Sequence, residues 1–272
     1  MKESQMVITV NPFSQLAGTV APILMQIFVI IMIALVIVGT LIDIIHKKNV
    51  KYFFENAKKA KKSAKKNLSA TEKTSVILKT IASDIATTSE LGAGKRRLAH
   101  LLGMYGTILF WAGSVVMIFC YASPSSETPI LWPIIWHVGA IMTVVGGSWF
   151  WFFLRVDVYS EAFPWYRIIQ ADLFVLALIA CAFFGLIWSF LQSLSLENRW
   201  DDTLFLVLFI ISNLVLFGGV YWSKFAHMFY KPGAAIQKNL AEADGSRDNL
   251  PPPADAPEKF GLGIKREEPK HY

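Results

Sequence analysis

The stretch APILMQIFVIIMIALVIVGTLIDII, residues 21–45, decides the class of this protein. It holds no charged residue before Asp43, and a helix needs only about 20 apolar residues to cross the hydrocarbon core of a bilayer. Four more stretches read the same way, at 98–121, 131–154, 168–191 and 204–222. The expectation is an all-α integral membrane protein, a bundle of five transmembrane helices. The first span does not read as a cleaved leader. Its apolar run is too long, its N-terminal flank is not basic, and no small-residue cleavage site precedes Asp43.

Composition agrees. Of 272 residues, 54% are hydrophobic and only 17% are charged, with mean hydropathy +0.45; a soluble domain carries about 25% charged residues. That excludes a soluble globular enzyme, a disordered chain and a disulfide scaffold. The formal charge of +6 does not point to nucleic acid, because the basic residues cluster beside the spans and form no groove motif. Cys120 and Cys181 sit in different spans without a ligand-type spacing. This chain therefore holds no iron–sulfur cluster alone, and both cysteines read as small packing residues.

Orientation follows from the loops. With 46–97 facing the cytoplasm, only Lys2 and Arg199 of the 26 Lys and Arg fall outside. Such a bias is what positive-inside topology requires. The N-terminal segment 1–20 is thus expected outside, and the proline-rich tail 223–272 in the cytoplasm, with the cytoplasmic (inner) membrane as the location. Trp132, Trp136 and Trp200 then fall near the outer boundary, and Trp149, Trp151, Trp165 and Trp222 near the inner one, as interfacial anchors. Gly139, Gly146-Gly147 and Gly218-Gly219 mark places where helices approach closely.

Residues 47–66 carry nine lysines, which suit a helix along anionic lipid, a docking surface for an acidic partner, or both. Val76, Ile77, Ile81 and Ile85 give 71–91 the spacing of an amphipathic helix. The tail from Lys231 to Tyr272, with Pro251-Pro252-Pro253 and Pro257, is too polar for a core of its own; a disordered end and an arm that orders on a partner are both open.

The span interiors are nearly free of ionisable groups, since Asp43, Arg155 and Asp172 lie at span ends. That argues against a pump or a secondary transporter. Histidines remain. His271 is in the tail and His46 at a span end. His137, in the outer third of the third span, either bonds a neighbouring helix or faces a quinone. His100, three residues into the second span, and His227, just past the fifth, reach the same depth on antiparallel helices. Two imidazoles at one level suit the axial ligation of a b-type haem. Arg96, Arg97 and Lys224 lie within a turn or so, as partners for its propionates.

The segments KRRLAHLLGMYG (95–106) and WSKFAHMF (222–229) resemble the cytochrome-b-type gamma subunit of respiratory nitrate reductase and the membrane subunits of heterodisulfide-reductase-like complexes. A closer resemblance, on WFWFFLRVDV (149–158), SKFAHMFYKP (223–232), GSRDNLPPPA (245–254), FGLGIKR (260–266) and the His271-Tyr272 end, is to the membrane anchors associated with adenylylsulfate reductase in sulfur-oxidising bacteria. It implies a non-catalytic or quinone-reactive subunit. Such a subunit passes electrons between a cytoplasmic flavin and iron–sulfur oxidoreductase and the quinone pool. It also implies one inner haem b, on His100 and His227, with Arg97 and Lys224 near the propionates. The two-haem gamma subunits carry a second ligand pair where this chain has Phe110 and Phe209, which implies that the outer haem is absent. A haem-free structural anchor is the alternative.

The topology is open to direct test. A reporter active only in the cytoplasm should work when fused after Tyr272 and fail when fused after Ser126; the reverse pattern would overturn the assigned orientation.

Overall fold

A computed structural model describes residues 7–91, 94–155, 164–194 and 200–246. Lys2, Glu197, Arg199, positions 156–158 of the quoted motif, His271 and the proline-rich stretch from 247 onward lie outside the described residues. In chain order the helices are α1 (Pro12–Leu16), α2 (Pro22–Lys47), α3 (Asn49–Lys62), α4 (Ala70–Thr80), α5 (Lys95–Cys120), α6 (Leu131–Trp149), α7 (Leu173–Ser193), α8 (Trp200–Gly218) and α9 (His227–Ala243). Among the described residues every regular element is helical. Five helices, α2 and α5 to α8 with short extensions, are long and apolar enough to span a membrane. The chain forms two units: Met1–Asp43 with Leu98–Ala226, and Ile44–Arg97 with His227–Tyr272.

The first unit is organised around α5 and α6, whose backbones touch. A methyl group added at Gly106 would lie 2.6 Å from the Thr143 nitrogen. One added at Gly139 would lie 2.5 Å from the Phe110 nitrogen, and one at Gly146 2.5 Å from the Gly103 nitrogen. Only glycine fits such a crossing. On its other side, Gly147 accepts Ile179 of α7, 2.6 Å from the place of its missing Cβ. The second expected glycine pair behaves differently. Gly218 has nothing within 4 Å, and Gly219 faces the Val215 carbonyl of its own helix end, so neither marks an approach between helices. The close approach near there involves Gly39 of α2, whose Cβ would fall 2.8 Å from the Val220 Cβ.

Towards the end that holds α1, the bundle is filled by rings. Phe110, Trp136, Trp188 and Phe209 are buried, and Phe13 of α1 joins them. Trp188 and Phe209 stack with centroids 5.7 Å apart, and Phe13 meets Trp136 edge-on at 5.9 Å. Each such pair adds about 0.5–1.5 kcal/mol beyond its area burial. Asn11 sets Phe13 in place: its Oδ1 accepts from the Phe13 nitrogen at 3.0 Å, while its Nδ2 donates to the Tyr121 carbonyl at 2.9 Å and to Thr128 Oγ1 at 3.0 Å. Every polar atom of that buried amide is used.

Two tryptophans expected at the lipid boundary are core residues instead. Trp136 is buried and donates to Ser114 Oγ at 2.8 Å; Trp151 is buried under the Arg155 guanidinium, 4.2 Å from its ring. Trp165, Trp200 and Trp222 are exposed, as anchors must be. Position along the chain indicates depth but not which side of a helix an indole takes. Cys181 is fully buried, as a packing residue should be, whereas Cys120 is exposed.

At the opposite end, Arg155 and Asp172 are both buried and paired at 2.5 Å. Arg155 also donates to the Arg167 carbonyl at 2.8 Å, and Asp172 accepts from the Ile169 nitrogen at 3.0 Å. The pair ties the start of α7 to the end of the third span. Breaking one partner of a buried pair costs about 3–5 kcal/mol.

The glycine seam gives a paired prediction. Gly139→Ala should lower the thermal midpoint of the detergent-solubilised protein, at a cost of about 1–3 kcal/mol from overpacking. Gly218→Ala, with open space at its Cβ, should leave that midpoint unchanged or raise it.

Candidate functional site

His100 lies on an exposed side of α5. Its neighbour Ala99 is buried, with its carbonyl at the Gly146 contact. The small residue takes the seam, which leaves the imidazole outside the packed core. His227 is the first residue of α9 and is half-buried. The two belong to different units, His100 to the first and His227 to the second. Lys224 is exposed in the single 3₁₀ turn Lys224–Ala226. Arg97 donates through Nε to the Thr87 carbonyl at 2.7 Å, which holds its guanidinium against the segment that follows α4. Among the described residues no three His, Cys, Asp or Glu gather into a metal-holding group. Axial haem ligation asks for only two donors, and neutral imidazoles are suitable ones.

The positions that the resemblance assigns to an outer ligand pair come together in space. Phe110 of α5 and Phe209 of α8 are both buried, with ring centroids 6.4 Å apart. Trp136 lies 5.1 Å from the Phe110 ring, and Trp188 stacks on Phe209. Phenyl rings coordinate nothing, and the indoles occupy the surrounding volume.

His137 takes the first of its two expected roles. It is 2% exposed. Its Nδ1 is 2.8 Å from the Pro133 carbonyl and its Nε2 2.8 Å from Ser189 Oγ of α7. A carbonyl can only accept, so Nδ1 carries the proton and Nε2 accepts from the Ser189 hydroxyl. The imidazole thus latches α6 to α7. With both nitrogens engaged, it would have to give up one of these bonds to contact a quinone.

Asp43 reads in the sequence as a span-end residue, yet it is only 1% exposed. It sits one turn beyond Gly39, where α2 approaches Val220. Burial of a carboxylate at the membrane boundary is a tertiary property that helical periodicity does not reveal.

The second unit is a platform built from both of the polar segments that flank the spans. Its order starts at α4, whose N-terminus carries a full capping box: Ser69 Oγ accepts from the Glu72 nitrogen at 3.2 Å, and Glu72 Oε2 accepts from the Ser69 nitrogen at 2.8 Å. Lys66, 2.6 Å from Glu72 Oε1, and the bonds to Ser69 hold that carboxyl down to about 2. Beyond Thr80 the helix widens into a π turn over Ile81–Ala86. Ile81 is exposed, while Asp84, one turn after the buried Thr80, is half-buried. The amphipathic face expected from Val76, Ile77, Ile81 and Ile85 is therefore continued by polar groups.

Those groups grip the tail. Asn239 of α9 donates to Thr80 Oγ1 at 2.8 Å and to Asp84 Oδ2 at 2.7 Å. Asp84 Oδ1 also accepts from Ser89 at 2.6 Å and from Ser83 at 2.8 Å, and Lys238 pairs with Glu90 at 3.3 Å. At the end of α9, the Asp244 carbonyl accepts from the Lys65 and Lys66 nitrogens at 2.9 and 3.1 Å. Gly245 is needed next, since it has φ +75° and its Cβ would lie 3.2 Å from the Lys65 Cβ. The tail to Ser246 is thus neither a loose end nor an extended arm. Asn239 and Asp84 escaped the sequence reading because each is an ordinary polar residue on a polar helix. The capping-box spacing of Ser69 and Glu72 was the one local signal available.

No family model, curated protein or solved structure matches the chain.

The clasp has a pH signature. The Ser89, Asn239 and Ser83 hydrogen bonds, with Lys238 nearby, hold the Asp84 carboxyl below its ordinary range. A depressed folded value means that the contribution is complete above the unfolded value of about 4 and is lost as pH falls through the folded one. Hydrogen exchange in α9 should therefore accelerate as pH drops below about 4, after correction for the intrinsic rate. Asp84→Ala should accelerate it at neutral pH, by about 1–2 kcal/mol of lost protection.

Proposed function

We propose that this chain is the membrane anchor and electron-transfer subunit that links a cytoplasmic adenylylsulfate reductase to the quinone pool in dissimilatory sulfur oxidation. It would sit in the cytoplasmic membrane with its N-terminus outside. The observation that carries this reading is the meeting of Phe110 and Phe209, 6.4 Å apart. In the resembling two-haem subunits those positions hold one ligand pair, so their contact here supports the same pairing of helices. On that alignment His100, ten residues before Phe110 on α5, and His227, eighteen after Phe209, are the remaining pair.

His100 and His227 would then be the axial ligands of a single b-type haem, with Lys224 and Arg97 supplying positive charge to its propionates. When bound, such a haem supplies one-electron transfer between a soluble donor and quinone. The chain's own residues do the rest. Gly106, Gly139 and Gly146 hold α5 rigidly, and the basic second unit offers a surface to the soluble partner. Outside α3 (Asn49–Lys62), eleven Lys and Arg against five Asp and Glu in its described residues suit an acidic partner face.

A haem-free anchor is the second reading, favoured by the filling of one ligand-pair position with Phe110, Phe209, Trp136 and Trp188. Reduced-minus-oxidised spectra of the complex isolated in mild detergent separate the two. The first reading expects b-type bands that disappear in both His100→Ala and His227→Ala, with the flavin and iron–sulfur subunits copurifying. Copurification without bands would establish the haem-free anchor. Bands unchanged in both variants would refute the ligand assignment.

A further inference from the structure

One residue, Lys48, separates α2 from α3. Its φ of 53° is the left-handed turn that ends many helices. Connectivity alone therefore starts α3 within a turn of the point where an apolar span leaves hydrocarbon, at headgroup depth.

The two sides of α3 differ sharply. Val50, Phe53, Ala57 and Ala60 recur at three- and four-residue spacing and are half-buried. Phe53 Cζ lies 3.9 Å from the place of a Cβ on Gly233 of α9. The opposite arc carries Lys51, Lys58, Lys59 and Lys62, and Lys61 stands beside Phe54 at its border, all exposed. Glu55, the acid on that arc, pairs with Lys51 at 3.8 Å. At the borders of the arc, and in the first turns next to the span, stand Tyr52 and Phe54, 55% and 59% exposed.

Lysines alone would suit an acidic protein or an anionic membrane equally. The rings decide between them. Aromatic side chains are at home in the headgroup layer, where ring bodies embed while long lysine stems reach past them to phosphate. Basic helices that lie in that layer combine these two features.

We propose that α3 is an anionic-lipid-binding helix. Tyr52 and Phe54 embed in the headgroup layer of the leaflet at which α2 ends, and Lys51, Lys58, Lys59, Lys61 and Lys62 bind negatively charged phosphodiester headgroups. Its other face holds α9, so headgroup charge fixes the helix that carries the tail. This holds with or without a haem on the chain.

The test uses the full chain in phosphatidylcholine nanodiscs, with and without about 30% phosphatidylglycerol, the charge that attracts juxtamembrane lysines. An environment-sensitive dye is attached at Asn56→Cys in a Cys120→Ser background, leaving the buried Cys181 untouched. The expected result is a blue-shifted emission in the anionic discs. It should fade as salt rises towards 1 M, where screening acts over about 3 Å. Each lysine contributes a factor of about 5, so the quadruple variant Lys58→Gln, Lys59→Gln, Lys61→Gln and Lys62→Gln should lose the lipid dependence. Hydrogen-exchange protection of α9 equal to that of the parent in discs of phosphatidylcholine alone would show that this variant keeps its fold. Tyr52→Ser with Phe54→Ser should weaken the shift while the lysines remain. Identical emission in both discs, or lipid dependence that survives the quadruple variant, would overturn the proposal. So would a shift that appears only when an acidic soluble protein is added, which would make α3 a protein-docking helix.

Discussion

Backbone contact between α5 and α6 is the constraint from which the rest of the membrane unit follows. In lipid there is no hydrophobic force to press one apolar helix against another, so association rests on close van der Waals fit and on hydrogen bonds. Gly106, Gly139 and Gly146 provide that fit by removing every atom that would hold the helices apart. The hydroxyls that lie in the same seam are also accounted for, since Thr107 and Thr143 donate to the carbonyls of Gly103 and Gly139 within their own helices. With this crossing set, Ala99, Phe110 and Trp136 must face inward, and His100 is carried to an exposed side.

The ring cluster and the His137 latch extend the same logic across the bundle. Phe13, Phe110, Trp136, Trp188 and Phe209 form one contiguous apolar mass, and the Ser189 hydroxyl on Nε2 joins α6 to α7 beside it. A buried imidazole with both nitrogens engaged is a structural element. The end of the bundle where α1 packs is therefore dense and closed by Phe13, while His100 lies near the other end of α5.

The second unit obeys different physics. A capping box starts α4, and the contacts of α9 with α4 and its neighbours run through charge-assisted hydrogen bonds on Asp84 and two backbone bonds to the Asp244 carbonyl. These are the interactions that water weakens and pH changes, so the basic platform is the part of the molecule whose order can be modulated. The glycine seam, buried among apolar side chains, has no such lever.

Legibility in the sequence tracks how local each property is. The five spans were readable because the hydropathy of about 20 consecutive residues is enough to commit a helix to the bilayer, and the Gly139 and Gly146 contacts were readable because small residues in a span have few other uses. Trp136, Trp151, Gly218 and Ile81 were misjudged for a shared reason: each reading used position along the helix, whereas burial depends on which neighbour lies opposite. The Asn239 clasp and the Arg155–Asp172 pair left no pattern, because their members lie far enough apart in the chain that no periodicity links them. By itself, then, the sequence determined that this is a five-span helical membrane protein with its basic charge concentrated around the spans. Only the tertiary structure decided that His137 is a latch, that Phe110 and Phe209 meet, and that α9 folds onto α4. Hydropathy is a sum over neighbours in the chain, while these contacts are made between residues that only packing brings together.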